Sequence, residues 1–261
     1  MLLDDNKQRY PILISLHKSG STWINSFIHK RYRRIGLTTP PRNLYTEFFN
    51  LNNTQNLDHS FVKRSYKERI ALLEQLRTFG LELNQKAHVP QIMPVWSWFK
   101  KFYKDYDILV CKRRNIFSHY ISILFWQCIR DNVDERLIND INGVAPDHTF
   151  NDTDEDKLKS AIQLYNVSFK HNEKVWLDFI KDVRYLNDIV IKELDKPQVI
   201  WLEDIDHAWL EKRFHVIVKK TTRPNTIDQT IYFKPKDMAI IKEKFKERFD
   251  NEFQFYGYEY K

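Results

Sequence analysis

Residues 17–23, with the sequence HKSGSTW, have the types and spacing of an anion-binding loop. The small residues offer hydroxyl and backbone N–H groups at the start of a predicted helix, where the helix dipole also favours negative charge. Gly20 lets the backbone approach an anion closely. Lys18 places a mobile cation where negative charge grows on a departing phosphate oxygen. A phosphate group is therefore predicted to bind here, through Lys18, Ser19, Gly20, Ser21 and Thr22.

A second basic group follows the next apolar strand candidate, at residues 112–115 with the sequence KRRN. Arg114 and Ser122 lie eight positions apart, which puts the serine one or two turns into the following helix. A guanidinium offers a fork of donors to phosphate oxygens, and a serine adds a hydroxyl. Lys112 and Arg113 are expected to form a solvated basic turn. The spacing predicts a second phosphate contact, made by Arg114 and Ser122.

Together these motifs resemble those of the sulfotransferases that use 3′-phosphoadenosine 5′-phosphosulfate (PAPS). The family loop often reads PKSGTTW, so His17 stands where a proline is usual. The resemblance implies transfer of a sulfuryl group from PAPS to a hydroxyl or amine, with PAP as the product and no metal. It implies that Lys18 acts on the leaving group and that Arg114 and Ser122 bind the 3′-phosphate. It also implies that residues 1–261 form one P-loop-like sulfotransferase domain.

Three further segments follow in the order of the family. Residues 86–90 (KAHVP) resemble the segment with a catalytic histidine before a proline, and residues 201–204 (WLED) resemble a strand end that often reads Tyr-Glu-Asp. Trp23 is expected to face the adenine. Leu202 stands where a tyrosine is frequent, so one cofactor contact is expected to be missing. The late Arg-Lys-Gly segment is absent in that form, and the nearest basic residues are Lys219, Lys220 and Arg223.

Two residues compete for the role of general base. Histidine side chains ordinarily have a pKa near 6.5, which suits proton transfer at neutral pH. His88 resembles the histidine of the family branch that acts on small phenols, alcohols and steroids. Glu47 lies between Tyr45 and Phe49, and relatives that act on carbohydrates or protein tyrosines use a glutamate not far after the first loop. Desolvation by the neighbouring aromatic rings would raise a carboxyl pKa. His88 is favoured as the general base, and Glu47 is the alternative.

The elements around these motifs alternate between strands and helices. Apolar runs predict strands at residues 12–16, 106–110 and 199–202, and periodic apolar residues predict helices after each motif, over 64–79 and over 236–253. Because parallel strands need crossover connections, the pattern predicts an α/β fold with a mainly parallel central sheet flanked by helices. Ligands of such sheets lie at the carboxyl ends of the strands, where both loops fall.

The composition limits which partners, sites and cellular locations can be expected. The chain has 261 residues, 42 Lys and Arg against 35 acids, and a formal charge of +7. Because the two signs are interleaved, direct nucleic-acid binding is not expected. No apolar run is long enough for a membrane helix, and a cytoplasmic location is expected. The placement of Cys111 and Cys128, one in a predicted strand and one in the helix after it, argues against a disulfide framework or a zinc site. The acceptor is expected to be a small molecule or a carbohydrate, and five aromatic residues could line its pocket or form core: Phe48, Phe49, Trp96, Trp98 and Phe99.

Two other functions share a phosphate-binding loop. A P-loop-like small-molecule kinase would place its lysine after a second glycine and would carry an acidic magnesium ligand. Lys18 instead precedes Gly20, which argues against a kinase. A non-catalytic nucleotide-binding module would keep the pocket without the chemistry, and the presence of Lys18 with a candidate base argues against it.

Overall fold

Four parallel strands form the sheet of this protein, whose computed structural model describes residues 10–34, 48–49, 65–79, 86–130, 156–162, 169–217, 233–249 and 251–260. The strands are β1 (Pro11–Ser15), β2 (Lys86–His88), β3 (Asp107–Lys112) and β4 (Gln198–Trp201). Their order across the sheet is β2-β1-β3-β4, and each pair is parallel. With helices between the strands, the predicted α/β class with a parallel sheet is confirmed.

Helices occupy most of the remaining described chain. Those that matter below are α1 (Ser21–Arg34), α2 (Tyr66–Thr78), α3 (Val89–Ile92), α4 (Trp96–Phe102), α5 (Ile116–Arg130), a helical stretch at 156–162, α6 (Phe169–Arg184), a π-helix (Tyr185–Val190), α7 (Ile191–Glu193), α8 (His207–Phe214), α9 (Pro235–Arg248) and α10 (Asn251–Phe255). Within the described ranges, no helix is both long and apolar enough to span a membrane.

The strand ends are aligned along one edge of the sheet. Ser15, the last residue of β1, is in register with His88 of β2 on one side and with Cys111 of β3 on the other. Lys112 at the end of β3 pairs with Trp201 at the end of β4. The carboxyl ends of the four strands therefore meet at one edge, as expected for a parallel sheet that binds ligands there.

The chain divides into two compact units. Unit 1 comprises Met1–Lys112 and Asp182–Lys219, and unit 2 comprises Arg113–Lys181 and Lys220–Lys261. In unit 1, the central strand β1 is buried on both faces, which explains its unbroken apolar sequence. One face of the sheet packs against α1 and α8 in a core that includes Leu13, Ile24, Phe27, Leu109, Ile200 and Phe214.

Unit 2 has a core built mainly from aromatic rings. Phe117 of α5 lies edge-on to Phe245 of α9, with ring centroids 5.1 Å apart. Tyr120 meets Trp176 of α6 at 5.2 Å, and Trp176 meets Phe245 at 4.8 Å. Offset and edge-to-face pairs of this kind each add about 0.5–1.5 kcal/mol beyond the area that they bury. The helical periodicity of α5, α6 and α9 reflects this shared core.

Candidate functional site

The loop between β1 and α1 has an unusual backbone. Lys18 has a φ of 61° and Gly20 a φ of 75°, so two of its residues adopt the left-handed conformation. A Cβ at position 20 would lie 2.5 Å from Cδ1 of Leu202, which is far inside van der Waals contact. Glycine is therefore favoured here both by its φ and by the leucine side chain that packs against it. Leu202, noted above as a departure from a tyrosine, closes one side of the loop.

Ser19 holds the loop to the sheet. Its hydroxyl donates to the carbonyl of Leu16 at 2.7 Å, and its own carbonyl accepts from Sγ of Cys111 at 3.3 Å. Because the hydroxyl is used within the loop, a contact of Ser19 with an anion would come from its backbone. Cys111 thus has a role in positioning the loop that the sequence did not reveal.

The backbone N–H groups at the start of α1 fall into two sets, those of residues 20–22 and those of residues 23 and 24. Trp23 and Ile24 donate to the carbonyl of Gly20, which starts the helix. In the part of the chain that the structure describes, no hydrogen bond engages the N–H groups of Gly20, Ser21 and Thr22. These three groups lie at the positive end of a 14-residue helix. The start of a helix with such N–H groups favours negative charge.

A second lysine reaches this helix start from β2. Lys86, the first residue of β2, lies with its Nζ 3.5 Å from Oγ1 of Thr22. Its side chain is buried, whereas that of Thr22 is exposed. The positive charge of Lys86 therefore adds to the electrostatic attraction that the start of α1 has for an anion.

His88 lies at the end of the neighbouring strand, beside the loop. Its Nδ1 is 3.2 Å from the hydroxyl of Ser15, and its backbone N–H donates to Oε1 of Gln91 at 3.0 Å. The ring of His17 stacks on it, with centroids 4.1 Å apart and planes at 35°. The side chain is only 4% exposed. The structure thus brings the favoured base candidate to the residue before Lys18, and gives His17 a contact that a proline could not make in the same way.

Lys112 is buried, although a solvated turn was expected. Its side chain is 3% exposed, its ammonium donates to Oδ1 of Asn187 at 2.8 Å, and it lies 4.4 Å from the centroid of the Trp201 ring. Asn187 belongs to the π-helix and donates to the carbonyl of Val183 at 2.7 Å. Burial lowers the pKa of Lys112 to about 7.

In unit 2, the arginine that contacts Ser122 is Arg113 rather than Arg114. Its Nη1 donates to Ser122 at 2.8 Å and its Nη2 donates to Ser118 at 3.1 Å. Arg114 lies 4.0 Å from the carboxylate of Glu259. The two serines are one helical turn apart on α5, so one guanidinium reaches both. The structure therefore pairs Ser122 with the arginine that precedes Arg114, and the phosphate contact of this turn stays a prediction.

Four of the five aromatic residues considered for an acceptor pocket are buried in the core, and the fifth, Trp98, is partly exposed. Phe49 contacts Trp98 and Phe99, with centroids 5.8 and 6.2 Å apart, and Trp96 stacks on Phe99 at 5.9 Å. Trp23 is 5% exposed and lies edge-on to Phe27, so its contact with adenine stays a prediction.

Glu47, Lys219, Lys220 and Arg223 lie outside the described residues. Among the residues that are described, no cluster of three or more His, Cys, Asp or Glu side chains is arranged to hold a metal ion. Comparison of the chain with models of protein families, with curated proteins and with solved structures finds no match. The functional assignment therefore depends on the geometry of the site residues themselves.

Proposed function

We propose that this protein is a PAPS-dependent sulfotransferase with a P-loop-like fold, which transfers the sulfuryl group of PAPS to a hydroxyl or amine and releases PAP. The observation that carries the proposal is the start of α1. There, the described part of the chain holds no partner for the N–H groups of Gly20, Ser21 and Thr22, which follow Lys18, and His88 ends the adjacent strand. An anion-binding helix start, a mobile cation and a candidate base thus occupy one edge of the sheet.

The start of α1 is assigned to the 5′ end of the nucleotide. The N–H groups of Gly20, Ser21 and Thr22 would bind phosphate oxygens, since they have no described partner and point along the helix dipole. Lys18 would stabilise the charge that develops on the bridging oxygen when its bond to sulfur breaks. PAPS supplies the sulfuryl group, and the residues of the chain supply the positioning and the charge.

The 3′-phosphate is assigned to unit 2. Arg113 is oriented by Ser118 and Ser122, which fix the plane of its guanidinium. A fork of N–H donors in a fixed plane matches the oxygens of a phosphate better than a lysine ammonium does. If Arg113 binds a 3′-phosphate in this way, a nucleotide without the 3′-phosphate should bind more weakly.

A proton must leave the acceptor as the new bond forms. The bond between sulfur and the bridging oxygen breaks with its electron pair going to the phosphate, a bond forms between sulfur and the acceptor, and the acceptor proton passes to a base. His88 is the favoured base, because its ring lies beside the loop and is held by Ser15 and His17. Glu47 remains the alternative.

Incubation with ³⁵S-labelled PAPS and a panel of phenolic, alcohol, amine and carbohydrate acceptors tests the proposal. Parallel reactions with γ-³²P-labelled ATP test for a kinase. Labelled product from PAPS alone is expected. Product from ATP alone, or tight nucleotide binding with no transfer to any acceptor, would replace the proposal with a kinase or a binding module.

Two variants assign the base in the same assay. His88→Ala is expected to lower the rate of transfer by about 10²–10⁴-fold, the usual contribution of a general base, while Glu47→Ala retains most of it. The reverse result would move the role to Glu47. Lys67→Ala, at an exposed position on α2, serves as the matched control for a surface substitution.

A further inference from the structure

The segment 258–260 pairs with the turn that carries Arg113. The N–H of Glu259 donates to the carbonyl of Arg114 at 2.8 Å, and the N–H of Ile116 donates to the carbonyl of Glu259 at 3.0 Å. These two bonds form a parallel bridge between Glu259 and Asn115. The turn between β3 and α5 is therefore fixed by backbone hydrogen bonds from a residue more than 140 positions later in the chain.

Aromatic contacts on both sides of Glu259 hold this segment in place. Tyr258 is buried and meets the ring of Phe253 at 6.4 Å. Tyr260 stacks on Phe245 at 5.6 Å, with the planes at 18°, and lies edge-on to Phe117 at 5.5 Å. Residues two apart in an extended segment point to the same side, so both tyrosines anchor the segment while the Glu259 backbone faces the turn.

The backbone hydrogen bonds of Glu259 stabilise the turn more than its ion pair with Arg114 does. Arg114 and Glu259 are separated by 4.0 Å, and both side chains are about one third exposed, so their ion pair contributes little. The N–H of Glu259, by contrast, holds the carbonyl of the residue that directly follows Arg113. Movement of this carbonyl would rotate the backbone from which the Arg113 side chain projects towards Ser118 and Ser122.

We infer that Glu259 is a positioning residue for the 3′-phosphate contact, because its backbone fixes the turn from which Arg113 reaches Ser118 and Ser122. This inference rests on the proposed function, since it assumes that Arg113 binds a 3′-phosphate. It assigns a role to a residue that lies far from both motifs in the sequence. Glu259 itself does not touch the nucleotide.

The test compares Glu259→Pro, which removes the N–H, with Glu259→Ala, which keeps it. Affinities for PAP and for AMP, which lacks the 3′-phosphate, are measured by calorimetry. Loss of one backbone hydrogen bond predicts that Glu259→Pro weakens PAP binding about five- to tenfold. AMP binding should change less than about twofold, which is the scale of a few tenths of a kcal/mol. Glu259→Ala should keep the preference for PAP over AMP.

Hydrogen exchange at the amide of Ile116 gives a readout that does not depend on nucleotide. Exchange should accelerate in Glu259→Pro and stay slow in Glu259→Ala. If the proline variant does not fold, Tyr260→Leu removes the stacked ring while the Glu259 N–H remains, and a smaller loss of PAP preference is expected. Equal weakening of PAP and AMP in a folded variant, or no weakening of either, overturns the inference alone. A wild-type protein that does not prefer PAP over AMP overturns the proposed function and this inference with it.

Discussion

Two turns lead from a strand into a helix: one connects β1 to α1, and the other connects β3 to α5. Both contain basic residues, but they differ in the hydrogen bonding of the first N–H groups of the helix. Both contain a lysine, a polar residue and then a helix. At the first turn, no described group engages the N–H groups of Gly20, Ser21 and Thr22. At the second, the N–H of Ile116 donates to Glu259 and that of Ser118 donates to the side chain of Asn115 at 2.9 Å.

The difference shows that a basic turn before a helix is not by itself an anion site. Asn115 caps α5 through the amide of Ser118 and Glu259 accepts from the amide of Ile116, so two of the first three amides of that helix are satisfied within the protein. An anion there would be held by side chains, whereas an anion at α1 would be held by the backbone. The lysines differ as well, because Lys18 lies within the loop and Lys112 is buried beside Asn187.

The largest expected effect is that of Lys18→Ala. If Lys18 stabilises the departing phosphate, kcat should fall about 10²–10³-fold, as when one group is removed from a preorganised charge-stabilising site. PAP affinity should change only a few-fold, because the backbone N–H groups of the loop remain. Steady-state kinetics and calorimetry measure the two quantities, with Lys67→Ala as the control. A variant that keeps full activity would show that the first turn is not catalytic.

Replacing each arginine of the second turn by lysine should separate their roles. Arg113→Lys keeps the charge but loses the fork, so the preference for PAP over AMP should fall about tenfold or more. Arg114→Lys should change this preference little, because Arg114 faces Glu259. Competition binding of the two nucleotides provides the measurement. If Arg114→Lys causes the larger loss, the arginine predicted from the spacing is the ligand after all.

A double substitution tests why the first turn keeps its shape. Gly20→Ala should destabilise the fold by about 2 kcal/mol, since it combines a positive φ with a contact to Leu202. Measured against the single variant Leu202→Ala, which has its own packing cost, the same glycine substitution should lose only the conformational part, about 1 kcal/mol. Urea unfolding of the two single variants and the double variant gives the coupling. If the changes in the free energy of unfolding were purely additive, they would contradict a contact between the side chain at position 20 and Leu202.

The buried lysine predicts a pH dependence of stability. Burial holds the pKa of Lys112 at about 7, against its usual value of 10.5. Between these values the unfolded chain binds one more proton than the folded protein, so stability should rise with pH there, by at most about 1.4 kcal/mol per pH unit. Below pH 7 both states are charged, and this slope should vanish.

The Lys112→Met substitution should remove this rise of the free energy of unfolding with pH. Urea unfolding at several pH values between 6 and 10 would compare the variant with wild type, and the advantage of the variant should shrink as the pH rises. Lys67→Met serves as the surface control. If the free energy of unfolding changed with pH in parallel for the wild type and for Lys112→Met, Lys112 would not titrate in this range.

The sequence predicted the strands and helices that follow local rules. Apolar runs identified β1, β3 and β4, and helical spacing identified α1, α2, α5 and α9. It did not predict α8, nor the helices between His88 and Phe102, where prolines and aromatic residues obscure the period. The strand order also depends on contacts between distant segments, which no local pattern contains.

The residues of the candidate site could be predicted from the sequence to a similar extent. Loop residues such as Lys18 and Gly20 could be named because their types carry the chemistry. The contact of Arg113, and not Arg114, with Ser118 and Ser122 could not, because it depends on the conformation of the turn between β3 and α5. Likewise, the burial of Lys112 follows from Asn187, which approaches from a distant helix. Residues whose role is set by a remote partner leave no local signal.

The separation of the paired strands along the chain has a consequence for how the protein folds. Ser15 and His88, in neighbouring strands, are 73 residues apart, and Cys111 and Ser19 are 92 apart. Every strand pair of the described sheet is parallel, so no hairpin can nucleate it. Chain entropy must be lost over long loops before any strand pair forms, which slows folding. The edge that gathers Lys18 and His88 should therefore be among the last parts of the protein to form.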